Sequence, residues 1–359
     1  MTHFKKIEIQ NFKKFDYLKL ENLGLFNFII GDNGIGKTSV LESLLINEKQ
    51  LELSYDYLLA AVHERLKIGE TLHYSNRDIL GDFYYHNSNN RKITINREYD
   101  NGEISGEIEL YFKPISELDK VEQEYFNTIF LPSSKTVVVL KSHGRILSMV
   151  SGEGDSESKY YPFIPFHMGY SKDLVQFYSD NILKDREVKT AFVANLKVLI
   201  PDIEDVAIST EGANESLILV WLTGENKPLP LGMLGEGATR LFRILAEIIV
   251  CKNNVLLIDE IDTGIHFSRF RQYLNIILKV AFLNNVQIFA TTHSKECLTY
   301  LRDVLKAENN LKIQTSTRVF SLIKSSNGEI KAINYMFDQF KYAIENELEI
   351  RGGEFNNEL

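Results

Sequence analysis

Four segments carry residue types and spacings that could do chemistry: GDNGIGKTS at Gly31–Ser39, LGEGATR at Leu234–Arg240, VLLIDEID at Val255–Asp262 and ATTHS at Ala290–Ser294. In the first, Gly31, Gly36, Lys37 and Thr38 fill the pattern GxxxxGKT, with Asn33 and Gly34 inside it and Ser39 closing it. Glycines let a backbone curl so that successive N–H groups face phosphate oxygens, and a helix N-terminus adds partial positive charge. Lys37 would neutralise β- and γ-phosphates, and Thr38 would offer a hydroxyl to magnesium, an ion that needs only one or two protein oxygens. In the third segment Asp259 is placed to hold magnesium and Glu260 to orient and deprotonate an attacking water. Adjacent carboxylates at a strand end repel unless a cation sits nearby. His293 follows the next apolar run, where an imidazole can hydrogen-bond a γ-phosphate. The set predicts a magnesium-dependent ATP hydrolysis site with Lys37, Glu260 and His293 as its catalytic groups and Thr38 and Asp259 as metal ligands.

These groups need elements to hold them. Leu25–Ile30 reads as a buried strand before the glycine loop, and Val40, Leu41, Leu44 and Leu45 have helical spacing after it. Val255–Ile258 is a fully apolar strand of the kind found inside parallel sheets, where ligands collect at carboxyl ends. Val286–Thr292 reads as another strand, with Ser294 opening the following helix.

With these contexts in place, the chain resembles the ATP-binding-cassette (ABC) type ATPase heads of the SMC, RecF and overcoming-lysogenisation-defect (OLD) proteins. The resemblance rests on GDNGIGKT at Gly31–Thr38, LGEG at Leu234–Gly237, the acidic pair followed by IDTGIH at Ile261–His266, and the opening IEIQNFKKF at Ile7–Phe15. It covers about the first and last thirds of the chain. It implies an α/β fold: a P-loop NTPase of ABC type with a mixed β-sheet and an inserted α+β subdomain. It also implies an ATP-driven homodimer or higher homo-oligomer, in which the signature segment meets the partner's phosphates. One departure stands out, because the serine that the signature usually offers is replaced by Gly235. Backbone N–H groups of Gly235–Gly237 and the following helix dipole are expected to serve instead.

The motifs divide the chain into a discontinuous head, residues 1–48 and 205–359, and an insert, residues 49–204, too long for a loop. Within the insert the pattern predicts a helix over Tyr57–Ile68, hairpins over Lys92–Phe112 and Thr136–Val150, an acidic loop at Gly152–Ser158 and a helix over Asp173–Leu199. No heptads are sustained, so a long coiled-coil arm is not expected, and at most a short helical hairpin projects. Strands follow at Asp205–Ser209 and Leu217–Thr223, then a hairpin over Thr317–Tyr335 and a last helix at Asp338–Glu349. A separate nuclease domain of the kind OLD nucleases carry is not expected.

A net charge of −9 argues against a globally basic nucleic-acid binder but leaves room for local patches at Lys5, Lys6, Lys13 and Lys14 or at Arg269 and Arg271. Of these, Lys13 or Lys14 is expected nearest the nucleotide. Cys251 and Cys297 have no metal-like spacing and read as buried thiols. The longest apolar runs are strand-length and the start MTHFKKIEIQ has no signal-peptide core, so a cytoplasmic protein with no membrane span is expected. The functional reading is an ATPase that regulates a separately encoded effector, in anti-phage defence. The alternative is RecF-like DNA repair, with weak DNA binding. A transporter subunit is disfavoured by the long insert, and a P-loop kinase by the signature and histidine. The glutamine that such heads direct at magnesium is not placed by the sequence: Gln176 is one candidate and reads first as an exposed helix residue.

Overall fold

The computed structural model describes residues 3–45, 92–102, 104–114, 120, 136–142, 145–151, 163–166, 172–209 and 216–352. The expected helix Tyr57–Ile68 and loop Gly152–Ser158 lie outside them. Among the described residues three sheets are formed. The first is antiparallel: β1 (Phe4–Phe12), β2 (Phe15–Leu20), β4 (Lys92–Tyr99), β5 (Ile104–Pro114), β6 (Thr136–Ser142) and β7 (Arg145–Ser151), in the order β2-β1-β4-β5-β6-β7. The second is central, in the order β15-β14-β3-β13-β12-β8, from β3 (Phe26–Gly31), β8 (Phe163–Ile164), β12 (Val255–Ile258), β13 (Gln287–Thr291), β14 (Thr317–Lys324) and β15 (Ile330–Tyr335). Its strands run parallel except for the β14/β15 hairpin. The third joins β9 (Ile203–Ser209), β10 (Leu217–Leu222) and β11 (Leu229–Pro230).

Alternation along the central strands sets the layers. Phe28, Ile30, Leu256, Ile258, Ile288 and Ala290 face one core, while Ile29, Leu257 and Phe289 face the other, as the period of two requires. The first core takes the apolar faces of α4 (Glu236–Val250), α5 (Phe270–Leu283) and α6 (Lys295–Lys306), through residues such as Phe242, Tyr273 and Leu301. The second is closed by α1 (Lys37–Leu44), whose Val40 and Leu41 pack with Ile7, Ile9 and Ile95 of the antiparallel sheet. With both faces covered, β3 and β13 are buried along their whole length, which is why they read as near-continuous apolar runs.

The sheets do not follow the division of the chain at residues 49 and 204. β4 hydrogen-bonds to β1, and β8 adds a parallel edge to β12. The expected helix over Asp173–Leu199 is broken. It forms α2 (Lys172–Tyr178), a π turn (Ser179–Leu183) and α3 (Arg186–Leu196). Asp185, in extended conformation, accepts from the N–H groups of Glu187 and Val188 and so starts a new helix. Nor does this pair project, since Leu174, Tyr178, Phe192 and Leu196 are buried in the main core. Arg243 of α4 reinforces the packing, pairing with Glu247 and with Asp173 of α2. The last helix, α8 (Phe337–Glu345), stops four residues earlier than expected, because Glu347 turns the chain through a φ of 55°. Cys251 and Cys297 are both buried. Among the described residues no helix is long and apolar enough to cross a membrane.

Candidate nucleotide-hydrolysis site

Strand order brings the distant segments together. β13 lies between β3 and β12, all three parallel, so the glycine loop, the acidic pair and His293 leave the same edge of the sheet on neighbouring strands. Gly36 caps α1 with a φ of 116°, and a Cβ there would lie 2.8 Å from the Phe15 ring, so both the conformation and the space require glycine. Lys37 folds back over the loop and donates to the carbonyls of Gly31 (2.8 Å) and Asp32 (3.0 Å). Burial pushes its ammonium down, against the pull of Glu260, Asp259, Asp32 and Asp262. Asn33 and Gly34 stand exposed at the loop tip, whereas Ser39 is buried in the first turn of α1.

Asp259 is the centre of the polar network. Thr38 Oγ1 donates within 3.1 Å of both its carboxylate oxygens, and Thr291 Oγ1 donates at 2.7 Å. Burial pushes this carboxyl up despite those donors, and the neighbouring acids Glu260 and Glu42 act in the same direction. A hydroxyl and an acid converging in a buried setting fit a magnesium ion, which keeps most of its own waters. No group of three or more His, Cys, Asp or Glu residues with metal-site geometry occurs among the described residues, so a dedicated protein cage is absent there.

Glu260 sits at a φ of 47°, which costs a non-glycine residue of the order of 1–2 kcal/mol. The strain is held in place by a surround that the sequence alone does not reveal. The Glu260 N–H donates to Thr291 Oγ1 (2.7 Å), and Tyr273 donates to the Ile261 carbonyl (2.8 Å). Arg240, only 1% exposed, donates from Nη2 to the carbonyls of Asp259 (2.7 Å) and Glu260 (3.4 Å), and from Nη1 to those of Pro165 (2.6 Å) and Phe166 (3.3 Å). Its one visible signal is an arginine inside the apolar stretch of α4. The side chain of Glu260 stays partly open, with Oε1 3.5 Å from His293 Nδ1. Ser294 caps α6 by accepting from the Cys297 N–H.

The signature glycines have a geometry of their own. Gly235, at a φ of 90°, caps α4, which starts at Glu236. A Cβ on Gly235 would meet open space, whereas one on Gly237 would come 2.9 Å from the Gly264 carbonyl of the same chain. Gly237 is therefore first a packing residue, letting α4 approach the turn after the acidic pair. Of the lysines considered near the nucleotide, Lys13 is held by Glu42 at 2.5 Å, and Lys14 has its Nζ beside Gly34 of the loop. Gln176 points to solvent and donates to Asp180 (2.6 Å), so it does not join the site.

Comparisons with known proteins agree with this geometry. An ATP/GTP phosphatase of Helicobacter pylori (strain ATCC 700392 / 26695) is 23% identical over 387 residues, spanning 97% of this chain and 100% of that protein. Among solved structures, an SMC head bound to the C-winged helix domain of ScpA superposes with a TM-score of 0.53 at 13% identity, over 93% of this chain and 98% of that one. The Smc head with an extended coiled coil bound to the C-terminal domain of ScpA, derived from Pyrococcus furiosus, gives 0.52 at 12% identity, over 97% and 100%. At such identities the likeness speaks for the fold alone, which is that of SMC head domains. Residues 47–298 match the family model described as "AAA domain, putative AbiEii toxin, Type IV TA system". Motifs, sheet order and this match over more than half of its length place the chain in that AAA-domain family of P-loop ATPases.

Proposed function

We propose that the chain hydrolyses ATP with magnesium and uses the cycle to control a separately encoded effector. The observation that carries this is the convergence of Thr38, Asp259, Glu260 and His293, from three separate motifs, in one polar network, with the Lys37 ammonium in the field of the same two acids. Lys37 would exchange the carbonyls of Gly31 and Asp32 for β- and γ-phosphate oxygens, while the loop amides from Gly31 to Ser39 hold the chain of phosphates. Thr38 and Asp259 would hold magnesium, which supplies charge neutralisation at the phosphates. Glu260, partly open and beside His293, is the base for the attacking water, and His293 addresses the γ-phosphate. Gly235 and Gly237 with the N-terminus of α4 would meet the phosphates of a second copy, closing an ATP-held homodimer.

The family's name, with its putative toxin of a toxin–antitoxin pair, supports a role beside a partner in defence. DNA repair is less well supported. Lys6 pairs with Glu8 at 2.8 Å and Lys13 with Glu42, so two of the four amino-terminal lysines are already engaged. Purified chain should turn over ATP, lose nucleotide binding as Lys37→Ala, and as Glu260→Gln bind ATP normally while turning over ~10²-fold or more slowly and accumulating a dimer on size exclusion. It should leave DNA uncut and bind it weakly with steep salt dependence. Equal loss of binding in both variants would defeat the assignment of roles. Co-expression with genomic neighbours should give co-purification and phage resistance that Glu260→Gln abolishes; magnesium-dependent DNA cleavage by the lone chain, surviving Lys37→Ala, would overturn the effector reading.

A further inference from the structure

Beyond α8 the chain returns to the candidate site. After the turn at Glu347, Ile350 is 6% exposed and anchored in the main core, and the Ser321 hydroxyl donates to its carbonyl. Ser321 lies on β14 and pairs in register with Ile30, one residue before the glycine loop opens. The segment therefore leaves the core directly beside that loop. The next two residues each touch one wall of the site. Gly352, at a φ of 130°, lies so near the Asp32 carboxylate that a Cβ there would come 2.5 Å from Oδ2. Arg351 donates from Nη1 to the His293 carbonyl (3.0 Å), and its Nε and Nη2 fork onto the two oxygens of Glu349 at 2.8 and 2.5 Å.

The carbonyl that Arg351 holds is one the helix cannot hold itself. The α6 ladder begins with the Leu298 N–H donating to Ser294, so the His293 carbonyl lies just outside it. The fork makes the guanidinium a fixed donor rather than a mobile cation, because a bidentate arginine–carboxylate pair sets plane and direction together. Arg351 in turn pulls the Glu349 carboxyl down to about 2, so the clamp stays charged throughout the physiological range. His293 itself is largely exposed, at 48% of its side chain, so packing alone does not fix its ring.

We infer that Arg351 is a positioning residue for hydrolysis: clamped by Glu349, it fixes the backbone of His293, while Gly352 seats on Asp32, tying together the two loops that face the γ-phosphate. The inference rests on the function proposed above. It assigns Arg351 no contact with phosphate: three of its five N–H donors are taken by Glu349 and His293, and the fork on Glu349 fixes the plane of the guanidinium.

Arg351→Ala, Arg351→Gln, Arg351→Lys and Glu349→Gln are compared with wild type in ATP turnover, in binding of a fluorescent ATP analogue, and in hydrogen exchange of the nucleotide-free protein. Arg351→Ala should lower kcat about tenfold or more and leave analogue Kd within about twofold. Arg351→Lys, which can still donate to the carbonyl and pair with Glu349, should recover part of kcat. Arg351→Gln, which keeps a donor but no charge, and Glu349→Gln should fall between. Amides at 293–295 should exchange about tenfold faster in Arg351→Ala than in wild type, with unchanged exchange in β12. Wild-type kcat and exchange in Arg351→Ala would overturn the inference, as would a weakened Kd at unchanged kcat, the mark of direct phosphate binding. No turnover by wild type, or turnover insensitive to Lys37→Ala, would instead overturn the proposed function and this inference with it.

Discussion

Arg240 gives the most demanding test of how the site is built. Its guanidinium is 1% exposed and spans two chain segments, the exit of β8 through Pro165 and Phe166 and the exit of β12 through Asp259 and Glu260. Of the bonds to these four carbonyls, two are short, 2.6 and 2.7 Å, and two are longer, 3.3 and 3.4 Å. Burial pushes the guanidinium down from its usual range, so desolvation is already being set against those carbonyls. A charge-assisted hydrogen bond contributes about 1.5–3 kcal/mol net, and a buried carbonyl left unpaired costs a further ~1–3 kcal/mol. Arg240→Lys keeps the charge but presents it from one point, so it can serve one segment and not both. The loss of one short and one long bond predicts destabilisation of about 2–4 kcal/mol, and Arg240→Met about 3–5 kcal/mol. Either is a large share of the ~5–15 kcal/mol that holds a typical domain. Because the Asp259 and Glu260 peptides lose their anchor, kcat should fall about 10²-fold even where the lysine variant is folded. Equilibrium urea unfolding by circular dichroism and steady-state ATP turnover read the two effects. Both variants within about 0.5 kcal/mol of wild type, with normal kcat, would refute the reasoning, since a surface-like arginine costs no more than that.

Asp259→Asn should abolish turnover yet raise the melting temperature of the nucleotide-free protein at neutral pH. The carboxyl is raised from 3.8 by burial, so its stability contribution is complete below that value and lost as pH rises through the folded value. Calorimetry across pH should therefore show the variant's advantage growing as pH climbs from about 3.8, and a constant difference would be the wrong result. Met233, 73% exposed beside the signature segment, offers a cleaner probe of dimerisation than Gly237, whose Cβ would strike Gly264 within the chain. Met233→Glu placed in the Glu260→Gln background should keep the wild-type melting temperature and ATP binding but stay monomeric with ATP on size exclusion; an intact dimer would take Met233 out of the interface.

The sequence by itself determined the parts whose physics is local. Glycine spacing before Lys37 and Thr38 requires a loop that opens a helix, and the apolar runs before Gly31, Asp259 and His293 could only be buried strands. Even the break in the predicted Asp173–Leu199 helix was written locally, in the acidic cap Asp185. What only the tertiary structure decided is which carbonyls come within reach of which donors. The order β3-β13-β12 is a matter of chain crossover, and it is what lets the Thr291 hydroxyl bridge Asp259 and the Glu260 amide. Arg240 and Arg351 read as ordinary cations along the chain because their partners are backbone oxygens, which every residue carries and no residue type announces. A polar side chain acquires its meaning when folding removes water from around it and leaves it one set of partners, and that choice is made between segments that the chain itself keeps apart.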